Sequence, residues 1–360
     1  MTQEVKLFFI GRRHGVIPLR ARPWKLERQR HGELDGFKAA QGITRTYSPA
    51  NADVIFVRNS QDYTGPSDVE NIERRIGKFR SKKLILNDIK YFEQYNSKDT
   101  TFAVWKKNGV SVPAFKTLDA YDTEQALTET VSDFMSKYPS TILRTTNDES
   151  GVGMFFLHQE MSLEQITEIV KECMACISEN KKTKPDSRMM AVEYIGDLRS
   201  SEYQYLCRAY CVGQQIVCTR CITGKHNNVH AKSMGAEDFD EFVTMNETLT
   251  PQFYKEPFRS QILKAVDCLG PGMTAIDFIY KDGAVYFLEI NPMWGGGNKY
   301  GDEVFMSLLK TNQPSLQNRM PDIYKLLDGN AFYKSFYGAV RDYSNEYSSQ
   351  LSEADSLSYS

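Results

Sequence analysis

The residues with the most explicit chemistry stand in a strand pair near residue 280. Asp277 and Glu289 lie twelve positions apart in TAIDFIY-KDGA-VYFLEI, flanking an Asp282-Gly283 turn, and Asn291 follows two residues after the glutamate. Two carboxylates and an amide oxygen form the hard-oxygen set that Mg²⁺ takes together with substrate phosphates. Whether they meet depends on the turn. An odd-length turn puts both carboxylates on one face of the hairpin, whereas a two-residue turn puts them on opposite faces. The ordinary reading of such a pair is a solvated sheet face. Here apolar residues dominate both strands, so a carboxylate among them needs a counter-ion. The expectation is one shared face, with Asn291 close by.

Two upstream segments offer cations and backbone donors for a phosphate. In ILRTTNDESGVGMFF (142–156) a strand ends in Arg144, and the small-residue loop Ser150-Gly151-Val152-Gly153 returns into another strand. Such a loop can lay N–H groups over phosphate oxygens while the guanidinium pairs with them. Most Gly-containing hairpin loops bind nothing, so the loop alone is weak evidence. Lys98 opens a helix running to about Asn108, with Gly109 as its cap and Pro113 just beyond. A Lys in that place is more often a solvated surface residue.

Other reactive side chains carry less. Cys173/Cys176 and Cys218/Cys221 form two C-x-x-C pairs, which superficially suggest zinc. The first pair falls on the apolar face of a helix, and the second falls in a strand where residues three apart point to opposite faces. Zinc is therefore the weaker reading. The run 11–32 holds seven Lys or Arg, two His and one Glu. A solvated basic face is the usual meaning of such a run, but Arg12, Arg13, Arg20 and Arg22 could also receive an acidic substrate. A nucleic-acid patch is the minor reading, because Trp24 is the sole aromatic in the run.

The elements that must position these groups alternate along the chain. VKLFFI (5–10), DVIFVRN (53–59) and LILN (84–87) are strand-length apolar runs, and Ser67 to Glu70 is a capping box opening a helix. Asp122 to Gln125 and Ser162 to Gln165 open two further helices, the second carrying Cys173. Residues 141–146 and 153–158 read as strands, as do two segments around Val212-Gly213-Gln214 within 203–222. A helix at about 257–269 precedes the Asp277–Glu289 hairpin. The Ser-rich end SNEYSSQLSEADSLSYS reads as a flexible tail. The fold class is α/β (α+β), divided as an N-terminal layer 1–95, a small lobe 96–190, a large lobe 191–340 and a tail 341–360.

Composition sets outer bounds. Of 360 residues, 41% are hydrophobic and 25% charged, a globular mix, and the formal charge of -2 argues against a general nucleic-acid or membrane-surface role. No apolar run is long enough to span a bilayer. The first thirty residues lack the apolar segment and cleavage site of a secretory signal. Seven cysteines, an odd count in a long chain, fit reduced thiols and a cytoplasmic location.

In this order, the three phosphate and metal signals resemble the ATP-grasp superfamily. Lys98 through Thr101, Gly109-Val110 and Pro113 look like its K-x-x-T…G-I-x-x-P helix. Arg144 stands where the family usually has a second phosphate-binding Lys, and Ser150, Gly151 and Gly153 resemble its glycine loop. MAVEYI (190–195) looks like the adenine hinge, with Glu193, Tyr194 and Ile195 as contacts. Arg208 is placed like the arginine of a D-x-R…G strand pair, Arg220 like a basic residue near the γ-phosphate, and Asp277, Glu289 and Asn291 like the metal motif D…E-x-N. The likeness covers about 90–310 and implies two lobes clasping ATP, with Mg²⁺ as cofactor.

What the resemblance implies about activity is a ligase. A small-molecule or peptide carboxylate would attack ATP to give an acylphosphate, and an amine would displace phosphate to form an amide. Lys98 and Arg144 would hold the phosphates, and Arg208 and Arg220 would meet the transferred group. Two alternatives use the same residues: a kinase that phosphorylates a hydroxyl, and a nucleotide-binding module without catalysis. The intact Asp277, Glu289 and Asn291 argue against the last. Membrane and nucleic-acid partners are not expected, and a homo-oligomer is left open.

Overall fold

The computed structural model describes residues 4–11, 40–58, 66–119, 122–147, 153–182, 184–196, 198, 200, 202–225, 227–270, 272–292 and 302–358. Arg12, Arg13, Arg20, Arg22, Ser150 and Gly151 lie outside the described residues.

The N-terminal apolar runs form a parallel sheet. Strands β1 (Val5–Ile10), β2 (Ile43–Arg45), β3 (Val54–Val57) and β4 (Leu84–Leu86) pair in the order β2-β1-β3-β4. A parallel sheet is covered on both faces, which is why its strands are apolar at nearly every position. Phe8, Ile10, Ile55 and Val57 pack with Ile72 and Ile76 of helix α1 (Pro66–Ile76). The opposite face, with Leu7, Phe9, Val54 and Phe56, packs on aromatic residues from the far end of the chain.

The second sheet is antiparallel. Helix α2 (Lys98–Lys107) precedes β5 (Phe115–Leu118), and α3 (Glu124–Lys137) leads to β6 (Ser140–Thr145) and β7 (Met154–His158). After α4 (Leu163–Asn180) comes β8 (Met189–Glu193), and the order is β5-β8-β6-β7. Helix α3 is capped by the Thr123 hydroxyl, one residue later than expected, and α4 by the Ser162–Gln165 box. Both helices pack on Leu143, Leu157, Met189 and Ala191. Alternation therefore turns Ile142, Arg144, Met190 and Val192 toward the other face. Strand β8 runs on to Glu193, so this sheet crosses the boundary expected at 190.

The third sheet is the largest. Strands β9 (Gln204–Val212), β10 (Gln215–Gly224), β11 (Met273–Lys281) and β12 (Ala284–Asn291) pair antiparallel in the order β10-β9-β11-β12. Helices α5 (Phe239–Thr248) and α6 (Phe258–Asp267) separate the two hairpins in sequence. One face of the sheet, with Cys207, Ala209, Ile276 and Phe287, packs on α6 and on Phe102 and Trp105 of α2. Trp105 Nε1 donates to the Ala265 carbonyl at 2.7 Å, and its ring lies 5.9 Å from Phe287. Helix α2, expected in the small lobe, is thereby seated on the third sheet.

The C-terminal segments cover the other face. Helices α7 (Glu303–Thr311), α8 (Gln313–Arg319), α9 (Pro321–Leu327) and α10 (Gly329–Ser358) bring Phe305, Leu316, Ile323 and Phe332 against Tyr210, Met273 and Ala275. The tail expected to be flexible instead continues α10. Tyr333, Tyr337, Val340, Ser344 and Tyr347 recur at three- and four-residue steps, which is one face of a helix hidden in a Ser-rich composition. Ser344 is buried, Tyr347 Oη donates to the Arg80 carbonyl, and the Tyr343 ring lies where a Cβ on Gly213 (φ +51) would stand.

Candidate active site

Four charged side chains stand abreast on the third sheet. In register, Arg220 of β10 faces Arg208 of β9, Arg208 faces Asp277 of β11, and Asp277 faces Glu289 of β12. Directly paired residues share a face, so the two carboxylates lie together as expected.

The turn alone would not have put them there. Asp282 and Gly283 both have positive φ, 51° and 80°, and form a two-residue connection. Lys281 pairs with Ala284 and Phe278 with Phe287, a register that carried further would set Asp277 against Leu288. A bulge at this point takes up Leu288, and Asp277 meets Glu289 instead. The same bulge splits Phe287 from Glu289: the ring stays in the apolar core behind the sheet while the carboxylate faces forward.

Each carboxylate has a cation. Arg208 Nε and Nη2 contact Asp277 Oδ1 and Oδ2, both at 2.5 Å, a two-pronged ion pair. Burial works against the Arg208 charge, but Asp277's charge and hydrogen bonds outweigh it and raise the guanidinium pKa. Lys98 Nζ lies 3.6 Å from Glu289 Oε1, and Asn291 Nδ2 is 3.4 Å from Asp277 Oδ2. Lys98 is buried rather than solvated. Its place follows from the helix that carries it: Trp105 pins α2 to α6 and β12, and Lys98 N donates to the Thr146 carbonyl at 3.0 Å.

Lys98, Asn96, Thr146, Asn147, Glu289 and Ile290 line one cleft between the second and third sheets. Arg144 sits on the face of the second sheet opposite α3 and α4, next to Met190 in register, and its Nε is 3.4 Å from the Thr145 carbonyl. Gly153 (φ +63) closes the loop back, its carbonyl accepting from Thr145 N. The hinge residues follow β8. Tyr194 and Ile195 are buried, with the Tyr194 ring edge-on to Phe156. Glu193 turns its carboxylate to the Ala114 N–H at 3.0 Å, so its side chain braces the chain ahead of β5.

Sequence reasoning passed over two groups. Asp99, one residue after Lys98, is buried and accepts from Arg188 at 2.7 Å, with Ser97 Oγ at 2.8 Å. An acid in a helix's first turn was the available signal. His230, on the loop after β10, feels the charges of Arg220, Arg208 and Asp277. It had no signal beyond its residue type.

The oxygen set fits a divalent cation. Among the described residues no three His, Cys, Asp or Glu side chains cluster as a metal site. Asp277, Glu289 and the Asn291 amide are oxygen donors of the type Mg²⁺ takes alongside phosphate oxygens, and both Asp277 oxygens are held by Arg208 here. The C-x-x-C thiols do not converge: Cys173, Cys218 and Cys221 fall in three separate apolar clusters.

No protein-family model and no curated relative matches the sequence. Solved structures do. A D-alanine–D-alanine ligase from Bacillus anthracis complexed with ATP matches at 11% identity and a TM-score of 0.51, over 96% of this chain and 99% of that one. The D-alanine–D-alanine ligase from Coxiella burnetii matches at 15% identity and 0.43, over 86% and 73%. An N5-carboxyaminoimidazole synthetase from Staphylococcus aureus complexed with ADP matches at 11% and 0.44, over 81% and 71%. Only the first exceeds 0.5. The chain has the ATP-grasp fold. Among the described residues no helix is long and apolar enough to cross a membrane.

Proposed function

We propose that this protein is an ATP-dependent ligase that activates a carboxylate and joins it to an amine. The observation that supports this reading best is the charge row Arg220–Arg208–Asp277–Glu289, with Lys98 3.6 Å from its last member. It sets an oxygen-donor pair beside cations at the mouth of a cleft between two sheets.

In this reading Lys98 and Arg144 hold the ATP phosphates from opposite walls, and the backbone of Glu193, Tyr194 and Ile195 receives adenine. Asp277, Glu289 and Asn291 would hold Mg²⁺, which when bound neutralises charge on the phosphates. The acid's carboxylate oxygen attacks the γ-phosphorus as the bond to ADP breaks, giving an acylphosphate. Arg208 and Arg220 offset the charge that builds on the transferring group. The amine then attacks the acyl carbon, phosphate leaves, and the nitrogen loses a proton. Closure of the cleft keeps water from the acylphosphate.

The test is release of ADP and phosphate in the presence of Mg·ATP and pooled acids and amines. The ligase should turn over only when both an acid and an amine are present. ADP formation without an amine, with a phosphorylated alcohol as product, would identify a kinase. Failure to bind Mg·ATP by calorimetry would overturn both readings.

A further inference from the structure

Helix α2 starts without the cap that its sequence offers. Ser97 has the extended backbone of a capping residue, φ -140° and ψ 151°, yet makes no side-chain bond to the N–H groups of the first turn. Its hydroxyl is committed elsewhere: it donates to Asp99 Oδ1 at 2.8 Å, with Thr100 Oγ1 also at 2.8 Å. The second sheet completes the helix instead. Lys98 N donates to the Thr146 carbonyl at 3.0 Å, and Asn147 Nδ2 reaches the Asn96 carbonyl at 3.3 Å. Thr146 is itself tied to Arg188 twice: its N–H donates to the Arg188 carbonyl and its Oγ1 accepts from the Arg188 N–H, both at 3.0 Å.

Asp99 is the buried centre of this junction. Its side chain is 4% exposed; Arg188 Nη2 donates to Oδ2 at 2.7 Å, and Thr117 Oγ1 of β5 lies 3.4 Å from the same oxygen. A buried carboxylate left without its cation is costly, so the pair resists any shift that parts the helix from the second sheet. Lys98 and Asp99 are successive residues, about 100° apart around the helix. Lys98 reaches Glu289 of the third sheet, and Asp99 reaches the second. One helical turn therefore grips both walls of the cleft. Trp105 seats the far end of the helix on α6, and Asp99 holds the near end. With a side-chain tip about 6 Å from the helix axis, a roll of about 20° would carry the Lys98 ammonium about 2 Å. A displacement of that size decides whether a cation meets a phosphate oxygen.

We infer that the Asp99–Arg188 ion pair positions Lys98, and thereby sets how tightly the cleft holds the ATP phosphates. The inference rests on the ligase reading, in which Lys98 meets those phosphates, and deepens it. Asp99 and Arg188 act only through the ammonium they aim. Arg188 is half-exposed, so it can be replaced without opening a core. An effect routed through one ammonium has a signature: it weakens ligands that carry the outer phosphates, leaves adenosine alone, and vanishes when the ammonium is gone. A pair that merely steadied the second sheet would weaken every ligand alike.

The test measures Mg·ATP and adenosine binding to the full chain by calorimetry. Arg188→Gln should weaken Mg·ATP about tenfold, the worth of one well-placed charged contact, and leave adenosine within about twofold. Arg188→Lys should recover part of the loss, because the charge is kept. Asp99→Asn strands no buried charge and should act in the same direction, which guards the test against loss of folding. In a Lys98→Ala background, Arg188→Gln should cost nothing further. Equal weakening of adenosine, or losses that add to those of Lys98→Ala, would overturn the positioning role. Full-strength Mg·ATP binding by Lys98→Ala would instead count against the reading that places Lys98 on the phosphates. Positioning is then judged without nucleotide, by hydrogen exchange of the free protein. Arg188→Gln should speed exchange at the Lys98 amide, which is bonded to Thr146, and leave the Val110 amide beyond the other end of the helix unchanged. A Lys98 amide that exchanges as slowly as in the natural protein would sink the inference.

Discussion

Arg208 and Asp277 offer the sharpest test of the site's architecture, because their pairing is a claim about geometry that unfolding energetics can read. Both groups lie on the sheet face that carries Glu289. Asp277's side chain is 8% exposed and Arg208's 22%, and two contacts at 2.5 Å join them. Replacing Arg208 with Met leaves a buried carboxylate whose direct cross-strand neighbour is Glu289. Replacing Asp277 with Leu leaves a guanidinium beside Arg220. Removing one member of a buried pair costs roughly 3–5 kcal/mol, and the partial exposure of Arg208 argues for the low end, about 3 kcal/mol. The double variant, Arg208→Met with Asp277→Leu, leaves no uncompensated charge and should sit closer to the natural protein than either single variant. Native-state hydrogen exchange at Ala209, Cys211 and Ile276 is the appropriate assay, since a chain with several sheets need not unfold in one step. Each single variant should speed exchange there about 100-fold, the double much less. Single effects that simply add, or single variants that exchange as slowly as the natural protein, would refute the pairing.

Three further outcomes follow from the same geometry. Glu289→Gln should abolish turnover and weaken Mg²⁺-dependent nucleotide binding without altering circular dichroism, because the carboxylate faces the cleft while Phe287 does the packing; an active Glu289→Gln enzyme would end the metal assignment. Arg144→Lys should retain measurable ATP binding by calorimetry where Arg144→Ala loses it, since charge survives and only the planar fork is lost; equal weakness in the two would make fork geometry the requirement. Ending the chain after Arg341 removes the buried Ser344 and the part-buried Tyr343 and Tyr347, with their contacts on Gly213 and Arg80, and should cost about 2–4 kcal/mol of stability by thermal unfolding, whereas a flexible tail would cost nothing.

Local chemistry was legible wherever one short segment determines it. The helix of Lys98 with its Gly109 cap, the box at Ser162 and the Asp282-Gly283 turn each depend on residues within a few positions. The C-terminal helix was missed for the opposite reason. Its composition is polar and rich in serine, and only the three- and four-residue spacing of its tyrosines reveals the buried face, which acquires a partner only when the N-terminal sheet is in place. The partner of the Glu193 side chain was equally out of local reach: it is the Ala114 N–H, from a segment seventy-nine residues away.

The charge row lies beyond local reasoning altogether, because it exists only through pairing order. Strand β11 inserts beside β9 and sets Asp277 against Arg208 across sixty-nine residues, while β10 closes the row with Arg220 on the outside. Period-2 alternation along β12 would even have placed Phe287 and Glu289 on one face, making either the ring exposed or the carboxylate buried in the apolar core. The bulge at Leu288 resolves that conflict by granting each its own face, at the one position where the strand changes from packing to chemistry. The irregularity is thus part of the site: without the extra residue, a strand reading Phe-Leu-Glu could not keep its aromatic ring in the core and also present the glutamate beside Asp277 and Lys98.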